Sequence, residues 1–387
     1  MKILLASSAF KPAWETGGTC RAVYEVSTHL TQIGHQVTVF TTDRGLKGLK
    51  VPKNKPVEVD GVEVYYFRNV SQYLAKKKIT TPYYLPLVAR KRVKDFDIIH
   101  INEHRTPIAA ILHHYALQYN VPYVLQAHGS LPRIMERQHL KRVFDVCWGN
   151  RLLRDAANLL ALTTYEADQY RNMGVDDNKI TVVPNGIDLA EFGNLPERGR
   201  FRKKYGINDN EKVILYLGRI NQIKGLDLLV EAFAGLPKDI NGRLAIVGPD
   251  DGYLSILRKR IGELKVERMV ILCGPLYGEE KLEAYVDADV YVLPSIYETF
   301  PVTILEAWAC GVPVIVTDQC GIADVVDDNA GIVIPCDPSS LKGAFQHMLS
   351  DEWRRQKYSE NGKSLVRDKF NWTRIAKQVE SMYDIVV

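Results

Sequence analysis

The sequence predicts an α/β protein of two Rossmann-like domains whose parallel sheets face a central cleft. Three observations carry that expectation. Short, β-branched apolar runs recur along the chain, they alternate with segments of helical length and pattern, and several are followed by glycine or proline turns. Runs that are apolar throughout belong to strands buried on both faces, as parallel sheets require. At 387 residues the chain exceeds one ordinary core and suits two domains.

The first domain is expected over residues 1–188. Residues 2–7 form its opening strand, and Trp14-Glu-Thr-Gly17-Gly18 follows as a glycine turn before an amphipathic segment over 22–33. Paired glycines let a backbone come close to a ligand. Further strands are read at 36–41, 62–67, 97–101, 123–126, 158–163 and 179–183, with a helix over 108–119. Val183-Pro-Asn-Gly-Ile-Asp188 closes the domain in an Asn-Gly turn, and the polar stretch 189–211 reads as a linker. The second domain, 212–371, carries strands at 213–218, 244–248, 269–274, 290–294, 312–317 and 331–335 with helices between them. The region 351–387 is charged and helix-forming.

Composition narrows the class. With 46% hydrophobic and 25% charged residues the chain reads as a soluble globular protein. It has no apolar run of membrane-spanning length, and its start lacks the long apolar region of a signal peptide, so the expected location is cytoplasmic. Six widely spaced cysteines without a C-x-x-C pattern read as reduced packing residues. Residues 1–190 hold 25 Lys/Arg against 17 Asp/Glu, a balance of +8, while the remainder holds 25 against 29, or −4. The positive charge gathers at Lys76-Lys-Lys78, Arg90-Lys-Arg-Val-Lys94 and the stretch 133–154 with Arg133, Arg137, Lys141, Arg142, Trp148 and Arg151. Basic residues interleaved with Leu, Phe and Trp suit a peripheral contact with an anionic membrane or a phosphorylated acceptor. Solvated helix faces are the alternative. No recognition motif for nucleic acid accompanies the charge.

The most informative stretch is Ser295-Ile-Tyr-Glu298-Thr299-Phe300-Pro-Val302-Thr-Ile-Leu-Glu306-Ala-Trp-Ala-Cys-Gly311. A strand precedes it and another follows. Pro301 stands where a first helical residue belongs, and Gly311 is a natural stop. The loop thus lies at the carboxyl end of a strand, where open α/β sheets bind ligands, and the helix start offers N–H groups to an anion. Glu298 and Glu306 are eight residues apart, roughly 12 Å if all were helical at 1.5 Å per residue. Paired carboxylates on one glycosidic bond stand about 5 to 9.5 Å apart, so this spacing instead suits two anchors on a long ligand with an anionic middle, such as a nucleoside diphosphate sugar.

Gly218-Arg219-Ile-Asn-Gln-Ile-Lys224-Gly225 lies after the first strand of the second sheet. Arg by its planar fork and Lys as a compact charge can together clamp a diphosphate, although the spacing is not that of a Walker A loop. Ala127-His128-Gly129 also ends a strand. Its lone histidine is either structural or catalytic. Asp287-Ala-Asp289 resembles a metal-binding D-x-D but sits at a helix end before a strand, so it reads as structural.

Taken together, Gly218-Arg219 with Lys224-Gly225, the Asn185-Gly-Ile-Asp188 turn, His128-Gly129, Gly17-Gly18 and the Pro294 to Pro301 element with Glu306 resemble the family 4 (GT4-like) retaining glycosyltransferases of the GT-B fold. The resemblance covers nearly the whole chain in order. One departure is Glu-Thr-Phe-Pro where many relatives have Glu-Gly-Phe-Gly, which bears on donor-sugar contacts. It implies that a C-terminal helix of about 372–387 packs back on the first domain and that the domains close on substrate. It implies transfer of a hexosyl group, with retention, from a UDP- or GDP-sugar to an acceptor hydroxyl in polysaccharide or glycolipid synthesis. No cofactor or metal is required; the nucleotide sugar is the donor substrate and a sugar or lipid-linked molecule the acceptor. Carried over residue by residue, His128, Arg219, Lys224 and Glu298 are the catalytic group. Gly17, Gly18, Gly218, Thr299, Phe300, Val302 and Glu306 are the donor-binding group. A peripheral position at the inner face of the membrane fits the basic first domain. The rivals are a sugar-nucleotide epimerase of similar architecture and a noncatalytic nucleotide-sugar-binding protein. A nicotinamide oxidoreductase is disfavoured by the absence of G-x-G-x-x-G.

Overall fold

The computed structural model describes residues 1–45, 48–133, 138–237 and 240–387. It contains two compact units, Met1–Asn185 with Trp372–Val387, and Gly186–Asn371.

In the first unit eight strands run in the order β3-β4-β2-β1-β5-β6-β7-β8. They are β1 (Lys2–Ala6), β2 (Gln36–Thr42), β3 (Pro56–Val59), β4 (Val62–Phe67), β5 (Ile98–Asn102), β6 (Tyr123–Gln126), β7 (Asn158–Ala161) and β8 (Ile180–Val182). All pair in parallel except β3, which turns back on β4 with Val59 opposite Val62. The sequence reading lacks β3, yet the signal is there. Val57-Glu-Val-Asp60-Gly61-Val-Glu-Val64 alternates around Asp-Gly, and both turn residues adopt the positive φ of a tight hairpin, 50° and 80°.

Successive residues of a strand point to opposite faces, so the sheet builds two apolar layers. Leu4, Phe40, Ile99, Leu125 and Leu159 enter one. Ile3, Leu5, Val39, Ile98 and Val124 enter the other. The helix Trp372–Val386 joins that second layer through Trp372, Ile375, Val379, Met382 and Tyr383, a stripe at helical spacing. Its polar anchors are His35 Nε2 to Glu380 Oε1 at 2.8 Å and Tyr383 OH to His100 Nδ1 at 2.7 Å.

The second unit is a fully parallel sheet of order β11-β10-β9-β12-β13-β14. Its strands are β9 (Lys212–Leu217), β10 (Gly242–Val247), β11 (Val270–Gly274), β12 (Val290–Leu293), β13 (Val314–Thr317) and β14 (Gly331–Ile334). The stretch read as a linker is more than that. It carries a turn, Leu189–Phe192, and a helix, Arg200–Tyr205, that buries Phe201 and Arg202. The reason lies in Asp287-Ala-Asp289. The Asp287 carboxylate accepts the N–H groups of Gly199 at 2.5 Å and Arg202 at 2.8 Å, and Asp289 Oδ2 accepts from the Arg202 guanidinium at 3.0 Å and from Val213 N–H at 2.8 Å. These two aspartates are structural clasps.

Each sheet has one place where connections leave in opposite directions. It falls between β1 and β5 in the first unit and between β9 and β12 in the second. Crevices at such points receive ligands in open α/β sheets.

Candidate active site

In the second unit, the loops after β9 and β12 meet at the switch point. The β9 loop ends in a tight turn, Gln222–Lys224, and then Gly225 at φ 65°. Glycine is required there. A Cβ at this position would stand 1.9 Å from the carbonyl oxygen of Pro294, at the end of β12. Ile296 N–H bonds Ile223 C=O at 2.9 Å, so the two loops are sewn together. The result is an ion pair between Lys224 Nζ and Glu298 Oε2 in which the side chains are only 15% and 18% exposed. The Glu298 main chain is fixed in turn, its C=O accepting from Gly321 N–H at 2.7 Å and its N–H donating to Gln319 C=O at 3.2 Å.

The helix Val302–Ala309 starts one residue later than the sequence suggested, with Pro301 as its N-cap. No side chain caps it. Helix starts leave their first N–H groups without intrahelical partners, so this start keeps donors for a ligand. Four residues on, Glu306 accepts from Lys281 Nζ at 2.7 Å and from Tyr285 OH at 2.9 Å. Burial, and then Glu306 itself, hold the Tyr285 phenol well above its usual value, so it stays a donor.

Not every expected partner is brought together. Arg219 Nη1 lies 2.5 Å from Asp251 Oδ2, on a half-exposed pair shared with Asn221, whose Nδ2 reaches the same oxygen at 3.1 Å. Arg219 and Lys224, read as one clamp, thus hold different carboxylates. Thr299 meets the Tyr297 hydroxyl at 3.1 Å. The Phe300 ring is buried against Phe370 at 5.9 Å between centroids, so its side chain belongs to the core. Gly218 is crowded on its own account, since a Cβ there would stand 2.9 Å from the Tyr216 hydroxyl, and its carbonyl oxygen leaves room only for glycine at Gly248, where a Cβ would stand 1.8 Å away.

In the first unit, Gly17 and Gly18 do more than turn the chain. Gly17, at φ 114°, is the N-cap and Gly18 the first residue of the helix Gly18–Gln32, which starts four residues earlier than the sequence pattern indicated. No side chain caps this helix either, and no atom lies within 4 Å of where a Cβ on either glycine would be. His128 follows β6 in a left-handed conformation, φ 51°. Its Nε2 lies 2.8 Å from Asn102 Oδ1, an acceptor only, so Nε2 carries the proton. Burial, with His100 nearby, lowers its pKa to about 3, which keeps the ring neutral at ordinary pH.

Two carboxylates escaped the sequence reading. Glu103, at φ 74°, directly follows β5 and accepts from Ser8 N–H at 2.9 Å and from the Ser8 hydroxyl, a link across the β1/β5 switch point. Burial raises its pKa. Only its place after a strand marked it, beside the more conspicuous His104, which is buried and bonds Gly149 C=O at 3.0 Å. The second, Glu166, looks in sequence like an ordinary helix-capping residue.

The basic stretch is mixed in character. Arg133 and Arg105 converge on the buried Asp145, and Arg137 lies outside the described residues. Leu140, Val143, Val146 and Trp148 are exposed beside Arg142 and Arg151, with Lys141 partly buried. Cys147 and Cys336 are also exposed, unlike the packing role expected of all six cysteines. Among the described residues no helix is long and apolar enough to cross a membrane.

With two α/β units of this kind the chain has the GT-B fold of solved glycosyltransferase structures. It belongs to the family 4 type: the Glycosyltransferase Family 4 model matches residues 16–191 and the Glycosyl transferases group 1 model residues 197–365. An uncharacterized glycosyltransferase of Methanocaldococcus jannaschii is 29% identical, covering 100% of this chain and 99% of its own. The alpha-monoglucosyldiacylglycerol synthase of Streptococcus pneumoniae is 28% identical over 81% of this chain and 70% of its own. Among solved structures, Anabaena HepE in complex with UDP has a TM-score of 0.80 at 18% identity, with both chains covered completely. It has also been solved with UDP-glucose.

Proposed function

We propose that this chain is a retaining hexosyltransferase that takes a sugar from a UDP- or GDP-sugar, with no metal required. The observation that carries the reading is the Lys224–Glu298 pair at the β9/β12 switch point, beside an uncapped helix start. A cation and free N–H groups answer a diphosphate, and a carboxylate answers sugar hydroxyls. The UDP and UDP-glucose complexes of HepE support a nucleotide-sugar donor.

Lys224 and Arg219 neutralise the leaving diphosphate together with the main-chain N–H groups near Thr299, Phe300 and Val302. Glu298 holds donor-sugar hydroxyls and Glu306 the ribose hydroxyls. Gly218 lets the backbone approach the donor, and Gly17 and Gly18 admit phosphate and acceptor. His128, neutral, contacts the donor sugar near the reacting carbon through its ring and its carbonyl. The bond from the anomeric carbon to the phosphate oxygen breaks with its electron pair on the phosphate. The acceptor oxygen bonds the same face, and its proton passes to the departing phosphate. Incubation with donor and acceptor in the presence of EDTA tests this. The expected product keeps the α configuration in its anomeric proton coupling; a β product, or no reaction until a divalent ion is added, contradicts it.

The acceptor we assign is lipid-linked or anionic, reached from an anionic membrane surface. The exposed Leu140, Val143, Val146 and Trp148 beside Arg142 and Arg151 support it, as does the name of the pneumococcal relative. In flotation, the protein rises with liposomes containing anionic lipid and stays behind with neutral ones. Absence from both removes the membrane reading.

A further inference from the structure

The helix Thr164–Asn172 opens on Thr163-Thr-Tyr-Glu166, the pattern of a capping box, in which threonine and glutamate satisfy each other's backbone N–H groups. Thr163 keeps its half of the arrangement, its Oγ1 accepting Glu166 N–H at 3.1 Å. Glu166 departs from it. Its Oε2 takes the N–H of Leu162, the residue before the cap, at 2.7 Å. Its Oε1 crosses to the loop of the neighbouring strand and takes the N–H of Gly129 at 2.6 Å.

Gly129 directly follows His128, and both are left-handed, at φ 76° and 51°. A histidine in that conformation persists only where its surroundings over-determine it. Here they do. Ala127 N–H bonds the hydroxyl of Tyr170 on the same helix at 3.0 Å, and Ser130 folds back on Ala127 C=O through its N–H at 3.2 Å and its Oγ at 2.7 Å. The Arg105 guanidinium holds the carbonyls of Ser130 and Leu131. The ring of His128 is held by Asn102, and Glu166 supplies the fastening on the main chain of the next residue, Gly129, from a fully buried position. Among the described residues it has no ion pair, and burial raises its pKa to about 7. A carboxylate buried against two N–H groups is a costly way to cap a helix that a threonine already caps.

We infer that Glu166 is a positioning residue for His128: it fixes the His128–Gly129 turn, and through it the direction of the His128 ring and carbonyl. The catalytic part of this inference rests on the functional reading above, whereas the structural part does not.

The test uses the full chain and Glu166→Gln, which keeps the volume but turns an amide NH₂ toward one of two N–H donors. The expected result has three parts. The His128 ring resonances of the ligand-free protein shift. The kcat for nucleotide-sugar turnover falls about 10- to 100-fold with the donor KM within about twofold, as for other outer residues that orient a reacting group. Combined with His128→Ala, Glu166→Gln adds no further loss, because both changes remove the same contribution. Thr163→Ala is the control for a merely structural role: it lowers the melting temperature and leaves kcat unchanged. Glu166→Gln with wild-type His128 signals and kcat, or losses that multiply in the double variant, overturns the inference. If Glu166→Gln does not fold, Glu166→Asp replaces it, since its shorter side chain keeps one N–H and gives up the other. Should the wild type turn over no nucleotide sugar, the functional reading fails, and the His128 resonances still decide the inference.

Discussion

Replacing Lys224 by alanine lowers turnover about 10²- to 10³-fold while the protein keeps its fold, the loss expected on deleting one preorganised group from developing charge. In the ligand-free site the ammonium balances Glu298, and both side chains are more than four-fifths shielded. A diphosphate arriving there replaces or shares that partner, and Glu298 becomes available to the sugar. Without Lys224 the donor meets an unbalanced carboxylate as well as a missing cation, so KM rises as kcat falls. Steady-state nucleotide release, with circular dichroism and a melting curve for the fold, measures both. A folded Lys224→Ala protein with wild-type turnover contradicts the assignment.

The second large effect is on the scaffold. Gly225→Ala puts a Cβ 1.9 Å from the Pro294 carbonyl oxygen, at a φ of 65° that side chains rarely adopt. Overpacking and left-handed strain together cost about 3 kcal/mol. At about 2–4 °C per kcal/mol for a unit of this size, the melting transition falls by roughly 6–12 °C. Because the displaced loop carries Lys224, donor affinity falls with it. Gly17→Ala is the comparison: φ is again positive, at 114°, but the space is open, so the change in stability is smaller. Calorimetry of the two variants separates the cases. An unchanged transition in Gly225→Ala means that the β9 and β12 loops are not held together as described.

What could be read from the sequence followed from how each feature is encoded. The buried strands were legible because both faces need apolar residues, so a run such as Val290–Leu293 carries its own signal. β3 is less legible because an edge strand with exposed, alternating residues lacks the apolar run of a buried one, although Asp60-Gly61 announces it. The helix start at Gly18 was hidden because glycine reads as a turn, whereas here it opens a helix whose cap has no side chain. At the site, the Lys224 and Glu298 loops could be found from their places after strands, but their contact depends on the order β9-β12, which sequence distance conceals. Phe300 illustrates the reverse. Its motif marked it as a ligand contact, while the ring packs on Phe370, seventy residues away. Glu166 was illegible because Thr163-Thr-Tyr-Glu166 fits a local role completely, and only the placement of β6 beside β7 reveals the second partner.

The measurement closest to the central claim is a panel of UDP- and GDP-sugars offered to the purified full chain, following melting temperature and slow release of nucleoside diphosphate. Stabilisation by one nucleotide class, with release from one of its sugars, is the predicted result and identifies the donor. No shift and no release from any of them contradicts the donor-site reading, and the proposed sugar transfer with it.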